Sequence, residues 1–371
     1  MSLSKGVQGM ATTSVPSGTS ASAEVSLEEV ALATRNHGMP LEALRYDTTP
    51  IGLHYLLIHY DIPALVPETW RLEISGMVTA PLRLELRDVL ERPTSRRRVT
   101  MECAGNGRAR LLPRTVSQPW LHEAVGTGEW TGTAVADLLD DAGLVEGASE
   151  VVFTGADRGI EGGVEQYYQR SVTLDELRET GAMLVHTLNG APLPPQHGGP
   201  LRLVVPGWYG MTNVKWLTSL QVVDRPFDGY QHQRAYRTRQ DADDPGAPVS
   251  RMAVRSLMVP PGIPDFLTRR RTVERGAHRL EGRAWSGSAP ITAVEVSTDG
   301  GANWQAADVE VSEDPAAWSR WTFAWTAERA GETELCCRAT DSTGARQPDE
   351  PVWNLGGYAV NAAHRVPVTI R

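Results

Sequence analysis

A polar stretch rich in Asp and Pro, RTRQDADDPGAPVSR at residues 237–251, separates two lengths of chain with different patterning. It has the composition of a linker, and nothing else in the sequence narrows the fold as much. Beyond it come short β runs at sandwich-like spacing: ITAVEVSTDGGANWQAADVEV, WSRWTFAWTA, GETELCCRATDS and AAHRVPVTI. The first reads as a hairpin turning at Asp299-Gly300-Gly301, because paired glycines supply the backbone freedom of such a turn. Residues 245–371 are therefore expected to form an all-β, immunoglobulin-like sandwich.

Ahead of the linker the pattern is mixed. TWRLEISGMV, SEVVFTGAD and LRLVVPGWYG read as strands, and TAVADLLDDAGL has helical spacing with a glycine near its end. TLDELRETGAML opens with Thr173 and Glu176 in capping-box spacing, a helix start signal. Strands and short helices alternate without a regular βαβ rhythm, which predicts an α+β domain over residues 25–244 rather than a doubly wound sheet. Residues 1–24, rich in Ser, Thr, Gly and Ala, are expected to be a disordered lead.

Charge and length exclude several function classes. The 371 residues carry a net charge of −9, which argues against a general nucleic-acid binder. No apolar run approaches the roughly 20 residues needed to span a bilayer. The lead has neither an apolar h-region nor a twin arginine, so the expected compartment is the cytoplasm, or the periplasm if a signal has been removed.

Three cysteines do not read as a disulfide framework. Cys336 and Cys337 are adjacent in a strand-like run, where they would point to opposite faces as small hydrophobes. Cys103 stands alone, closing the strand-like part of VTMECAGNGR at residues 99–108. The residues alone allow packing, a nucleophile served by His122, His186 or His197, or a metal ligand. A lone thiolate is not an ordinary zinc site, but one thiolate suffices where a cofactor brings most of the ligands. Arg108 and Arg110 are expected to favour the thiolate and to attract anions.

Five ordered blocks then carry a resemblance. TRNHGMP (34–40), CAGNGR (103–108), LNGAPLPPQHGGPLRLVVPGWYGMTNVKWL (188–217), VEVSTDGGANW (294–304) and VWNLGGYAVNAAHRV (352–366) resemble, in that order, segments of the sulfite oxidase family of molybdenum enzymes. The resemblance implies a molybdopterin-binding oxidoreductase domain followed by a dimerisation sandwich, and hence a homodimer. It implies a molybdenum-molybdopterin cofactor with Cys103 as the sole protein ligand of the metal. His197 and Arg202 would hold the pterin phosphate together with Lys215, cationic donors of the kind a phosphate needs. Asn36, His37, Asp157 and Asn213 would contact the pterin or line its pocket. Arg35, Arg108, Trp120 and Tyr236 would form the substrate pocket, two guanidiniums recruiting a small oxyanion.

The implied reaction is a two-electron oxygen-atom transfer that converts sulfite to sulfate. One position departs from the pattern: sulfite-oxidising members carry an arginine where this chain has Gly356 in WNLGG, and plant-type nitrate reductases also lack it. The anion pocket is therefore expected to lack one positive charge unless Arg110 or another arginine replaces it. The alternative substrates are a nitrate-like or sulfoxide-like oxide, and the alternative class is a cofactor-free binding protein. No His-Pro-Gly-Gly and no Cys-x-x-Cys-His motif occurs, so the expectation is no haem, one redox centre and an external electron acceptor.

Overall fold

A computed structural model describes residues 25–371; the expected lead at 1–24 lies outside the described residues. The chain forms the expected two layers of architecture, a mixed domain and a β-sandwich, with strand dominating and the helices short.

Two five-stranded sheets build the first domain. One runs in the order Leu82–Glu85, Arg71–Gly76, Leu217–Val223, Glu150–Glu161, Val164–Thr173. Its neighbours are antiparallel except Arg71–Gly76 beside Leu217–Val223. The other pairs Ser95–Glu102 with Val125–Ala134, then Met183–Leu188, which also carries Ala191–Pro192 and Arg202–Val204. The helix Val135–Ala142 buries Val135, Leu138, Leu139 and Ala142, the i, i+3, i+4, i+7 stripe of an amphipathic helix, and Gly143 caps it at φ 68°. The helix Leu174–Thr180 starts at the expected box, Thr173 and Glu176 exchanging bonds.

The second domain stacks a four-stranded on a six-stranded sheet. Ile291–Ser297 turns at Gly300 and Gly301, both at positive φ, but the expected hairpin divides. Only Gln305–Ala306 pairs back; Asp308–Glu310 crosses to the other sheet and joins Ser319–Ala327. Cys336 and Cys337 are both buried on Gly331–Asp341, and Cys337 enters the sandwich core. The linker is partly ordered, Arg237–Thr238 pairing with Ala247–Pro248.

The domains share an apolar cluster that includes Leu44, Ala104, Tyr209 and Tyr236 from one and Leu257, Trp285 and Trp318 from the other. At its centre Glu102 accepts Arg255 Nη1 at 2.6 Å and Trp285 Nε1 at 2.9 Å. Arg255 also reaches the carbonyls of Asn106 and Val360. The turn after Cys103 is thereby clamped between both domains.

Candidate active site

Cys103 follows directly on the strand Ser95–Glu102, whose ladder ends at Glu102 opposite Val125. The glycines of the next turn have separate reasons. Gly107 sits at φ 98°, and a Cβ there would lie 2.6 Å from the Val360 carbonyl oxygen. A Cβ on Gly105 would lie 2.8 Å from the Arg108 guanidinium. The turn therefore brings Arg108 back over itself, toward the thiol.

Two adjoining cavities meet at Cys103. The inner one is lined by Cys103, His54, Met101, Asp157, Tyr168, His197, Arg202, Asn213 and Lys215, among others. The outer one includes Arg35, Arg108, Trp120, Glu161 and Tyr358. Leu57, His59, Cys103 and Tyr236 line both.

The inner cavity gathers cations without enough counter-charge. Gly198, at φ 104°, breaks the strand direction between His197 and Arg202 so that both turn inward. Arg202 donates to the carbonyls of His197 and Asn213, each at 2.9 Å, while its Nε has no partner. Lys215 donates to the carbonyls of Leu57 and Gln196 and lies 4.2 Å from the Trp216 ring centre. Burial, with the neighbouring cations, pushes His197 down to about 2 and Lys215 to about 7, and burial alone brings Arg202 to about 10. Asp157 is pushed up to about 6 by burial, against the pull of Lys215 and His59.

Arginines make the same point for both cavities. Among the described residues, Arg255, Arg271, Arg283 and Arg338 are buried with carboxylate partners. Arg108, Arg170 and Arg202 are buried without one, and all three stand at these walls or directly behind them. Arg108, 5% exposed, donates to the Gly356 carbonyl at 2.9 Å and to Ser117 Oγ at 2.9 Å. An uncompensated buried guanidinium is costly unless an anion completes it.

Residues 59–231 match the family described as the oxidoreductase molybdopterin binding domain, and residues 247–371 the Mo-co oxidoreductase dimerisation domain. The chain belongs to the sulfite oxidase family of molybdopterin oxidoreductases. It is similar to the mitochondrial sulfite oxidase of Homo sapiens, 33% identical over 347 residues that cover 87% of this chain and 62% of that protein. It is also similar to an NAD(P)H nitrate reductase of Hordeum vulgare, 31% identical over 356 residues covering 87% of this chain and 39% of that protein. The chain thus spans between 39% and 62% of the length of these curated relatives. The sulfane dehydrogenase SoxCD of Paracoccus pantotrophus shares the fold, with a TM-score of 0.77 at 24% identity over 98% of this chain and 96% of that one.

The inner cavity fits the cofactor that this family binds. A phosphate would complete Arg202, whose Nε is orphaned, and restore charge to Lys215. Among the described residues no cluster of three or more His, Cys, Asp or Glu is arranged for a metal ion, so a metal here needs most ligands from elsewhere. Cys103 offers the soft thiolate at the cavity junction. Burial pushes this thiol up, opposed by the Gly105 N–H, Arg108 and Trp120. A bound cation would reverse that balance.

The expected site residues fall into three groups. Asp157, His197, Arg202, Asn213 and Lys215 share the inner cavity, and Arg108, Trp120, Tyr236 and Arg35 share the outer one. The Asn213 amide is spent inside the protein, on Val205 and Tyr209, so it braces the loop that carries Arg202. Asn36 and His37 line neither cavity. Asn36 is buried against Gln118 and the Ile58 backbone, and His37 pairs its backbone with Leu56. Arg35 is exposed, 3.5 Å from the His59 carbonyl. Arg110 turns away from the thiol to His122 Nε2 at 3.1 Å, which corrects the expectation that it supports Cys103 or fills in for position 356. His122 is no general base, since Arg110 and Arg255 occupy both its ring nitrogens; His186 lines a separate groove.

Several residues escape sequence reading. His54 is buried in the inner cavity with Nε2 unpartnered. His59 Nε2 meets Glu161 Oε2 at 2.9 Å at the outer mouth. Arg170, 2% exposed, lies 5.7 Å from the Tyr236 ring centre. The crowding of His54, Tyr55, His59 and Tyr60 into one short segment with little regular structure was the one available signal.

Proposed function

We propose that this protein is a molybdenum-dependent oxidoreductase that oxidises sulfite or a closely related sulfur oxyanion and passes electrons to an external acceptor. The observation that carries this reading is Arg108, buried without a carboxylate in the outer cavity that shares Cys103 with the phosphate-fitting inner one. When bound, the molybdenum-pterin group supplies the oxygen-atom transfer and stores two electrons. Cys103 would hold the metal; His197, Arg202 and Lys215 would hold the phosphate.

The chain's own side chains do the remaining tasks. Arg35, exposed at the mouth, draws an anion in, and Arg108 binds it in a site where charge-assisted bonds are strong. The Tyr236 hydroxyl and the buried Trp120 indole N–H, which faces the Cys103 thiol, orient its oxygens. The dimerisation domain supports a homodimer of the full chain.

The lack of a guanidinium at Gly356 favours one second reading, reduction of a small oxyanion such as nitrate. Both are tested on one molybdenum-loaded preparation, by sulfite-dependent ferricyanide reduction and by nitrate-dependent oxidation of reduced viologen. Sulfite turnover without nitrate turnover is expected; the reverse replaces the first reading with the second.

A further inference from the structure

Gly356 and Tyr358 together reshape the outer cavity. A Cβ built on Gly356 would lie 2.4 Å from Tyr358 Cε2 and 2.6 Å from its Cδ2. The tyrosine ring therefore fills the space that any side chain at 356 would need. That ring lies 5.0 Å from the Arg108 guanidinium carbon and 5.3 Å from the Tyr236 ring centre, tilted by 39°. Gly357, where a Cβ would lie 2.6 Å from Arg108 Cγ, lets the arginine pass beneath.

The rest of the outer wall is mixed, with Arg35 at its exposed mouth, Ser117 and Gln118 beside Arg108, and an apolar side. Leu32, Leu57, Ile58, Ile160 and Trp120 line it. Glu161 also lines it, accepting from His59, Tyr60 and Gln231. Burial alone would raise this carboxyl, but those bonds hold it below its usual range, so it stays anionic. Arg170 is separated from the cavity by the Tyr236 ring and cannot touch an occupant. Arg108 is the one buried guanidinium lining the outer cavity among the described residues, faced across the mouth by Glu161.

We infer that Tyr358 is the specificity wall of this site, and that the preferred substrate is a sulfur monoanion bearing an apolar group, an organic sulfinate. The inference rests on the oxidoreductase reading above. A sulfinate has one negative charge for Arg108, a lone pair on sulfur and an organic group to lie on the Tyr358 and Tyr236 rings. A compact dianion brings a second charge with only the exposed Arg35 at the mouth to meet it, and nothing for the aromatic wall. The balanced conversion is RSO2− + H2O to RSO3− + 2H+ + 2e−. One S–O bond forms, the oxygen comes from water, whose two O–H bonds break, and the electrons leave to two one-electron acceptors such as ferricyanide.

The test compares benzenesulfinate with sulfite as substrates of the molybdenum-loaded full chain, and benzenesulfonate with sulfate as ligands followed by tryptophan fluorescence. Benzenesulfinate should be preferred by about ten-fold in kcat/KM, the discrimination one aromatic contact supplies. Benzenesulfonate should bind more tightly than sulfate, a readout independent of turnover. Tyr358→Val should erase both preferences, and Tyr358→Phe should keep them. Preference for sulfite and sulfate in the parent overturns the specificity assignment while leaving the oxidoreductase reading intact. Turnover of neither substrate by loaded protein overturns both.

Discussion

Glu102 and Arg255, 1% and 2% exposed, meet at 2.6 Å across the domain boundary, one residue before Cys103. The ion pair is buried, and Trp285, Asn106, Val360 and His122 take its other polar atoms except Arg255 Nε. Removing one partner strands the other charge. Glu102→Ala should therefore cost roughly 3–5 kcal/mol of stability, measured by denaturant unfolding, and should loosen the turn that carries Arg108. A loss below about 1 kcal/mol would mean the pair behaves as an exposed one.

Arg170 should show the opposite balance of stability and function. It is buried without a carboxylate, and burial lowers its affinity for protons, so its charge strains the empty protein. Arg170→Met should leave thermal stability unchanged or raised, while raising KM for an anionic substrate by removing positive potential behind Tyr236. A destabilised variant with unchanged KM would assign Arg170 to packing alone.

Asp157 and Lys215, which share the inner cavity, should bend the pH dependence of stability in opposite directions. Asp157, raised from 3.8 to about 6, binds protons more tightly folded than unfolded, so stability falls as pH rises from about 4 to 6. That limb amounts to at most about 3 kcal/mol. Lys215, lowered from 10.5 to about 7, binds protons less tightly when folded, so stability rises as pH rises above 7. His197, His54 and His364, lowered by burial, add stability over the same acid range in which Asp157 loses it, so each limb is read as the difference between thermal melts of cofactor-free parent and variant. Asp157→Asn should remove the acid limb and Lys215→Met the alkaline one.

Position 356 offers a test of crowding against charge. A missing guanidinium contact is worth roughly 1.5–3 kcal/mol, which corresponds to a sulfite KM raised about ten-fold to over a hundred-fold and further raised by salt. The backbone at Gly356 is not in the left-handed region, so φ does not forbid a side chain there. The obstacle is the Tyr358 ring. Gly356→Arg alone should not lower KM for sulfite, whereas Gly356→Arg with Tyr358→Val should. Steady-state kinetics of the two variants would decide, and equal improvement in both would show that the ring yields freely.

What the sequence made legible is what is encoded locally. Strand alternation, the Thr173–Glu176 box and the change of pattern at the linker each depend on neighbours a few residues apart. The cluster of Asp157, His197, Arg202 and Lys215 was reachable only by motif resemblance, because its members come from separate strands and turns. Asn36 and His37 stand one layer behind the cavities: His37 pairs its backbone with Leu56, which lines the inner one, and Asn36 Oδ1 accepts from Ile58 N–H, whose residue lines the outer one. Arg110 was misread because proximity in sequence to Cys103 says nothing of rotamer, and His122 offered it a partner. Arg170 and the Glu102–Arg255 pair depend on contacts between distant segments that no local pattern records.

Metal analysis of the full chain from a host able to make molybdopterin, with the parent and Cys103→Ser purified side by side, tests the site assignment most directly. Mass spectrometry should find about one molybdenum per chain in the parent, held by a soft thiolate. The serine variant should keep its pterin through His197, Arg202 and Lys215 but show an altered molybdenum absorption spectrum and little or no turnover. A parent devoid of molybdenum and pterin, or a serine variant with the parent's spectrum and rate, would contradict the assignment of Cys103 as the metal's ligand and of these two cavities as one active site.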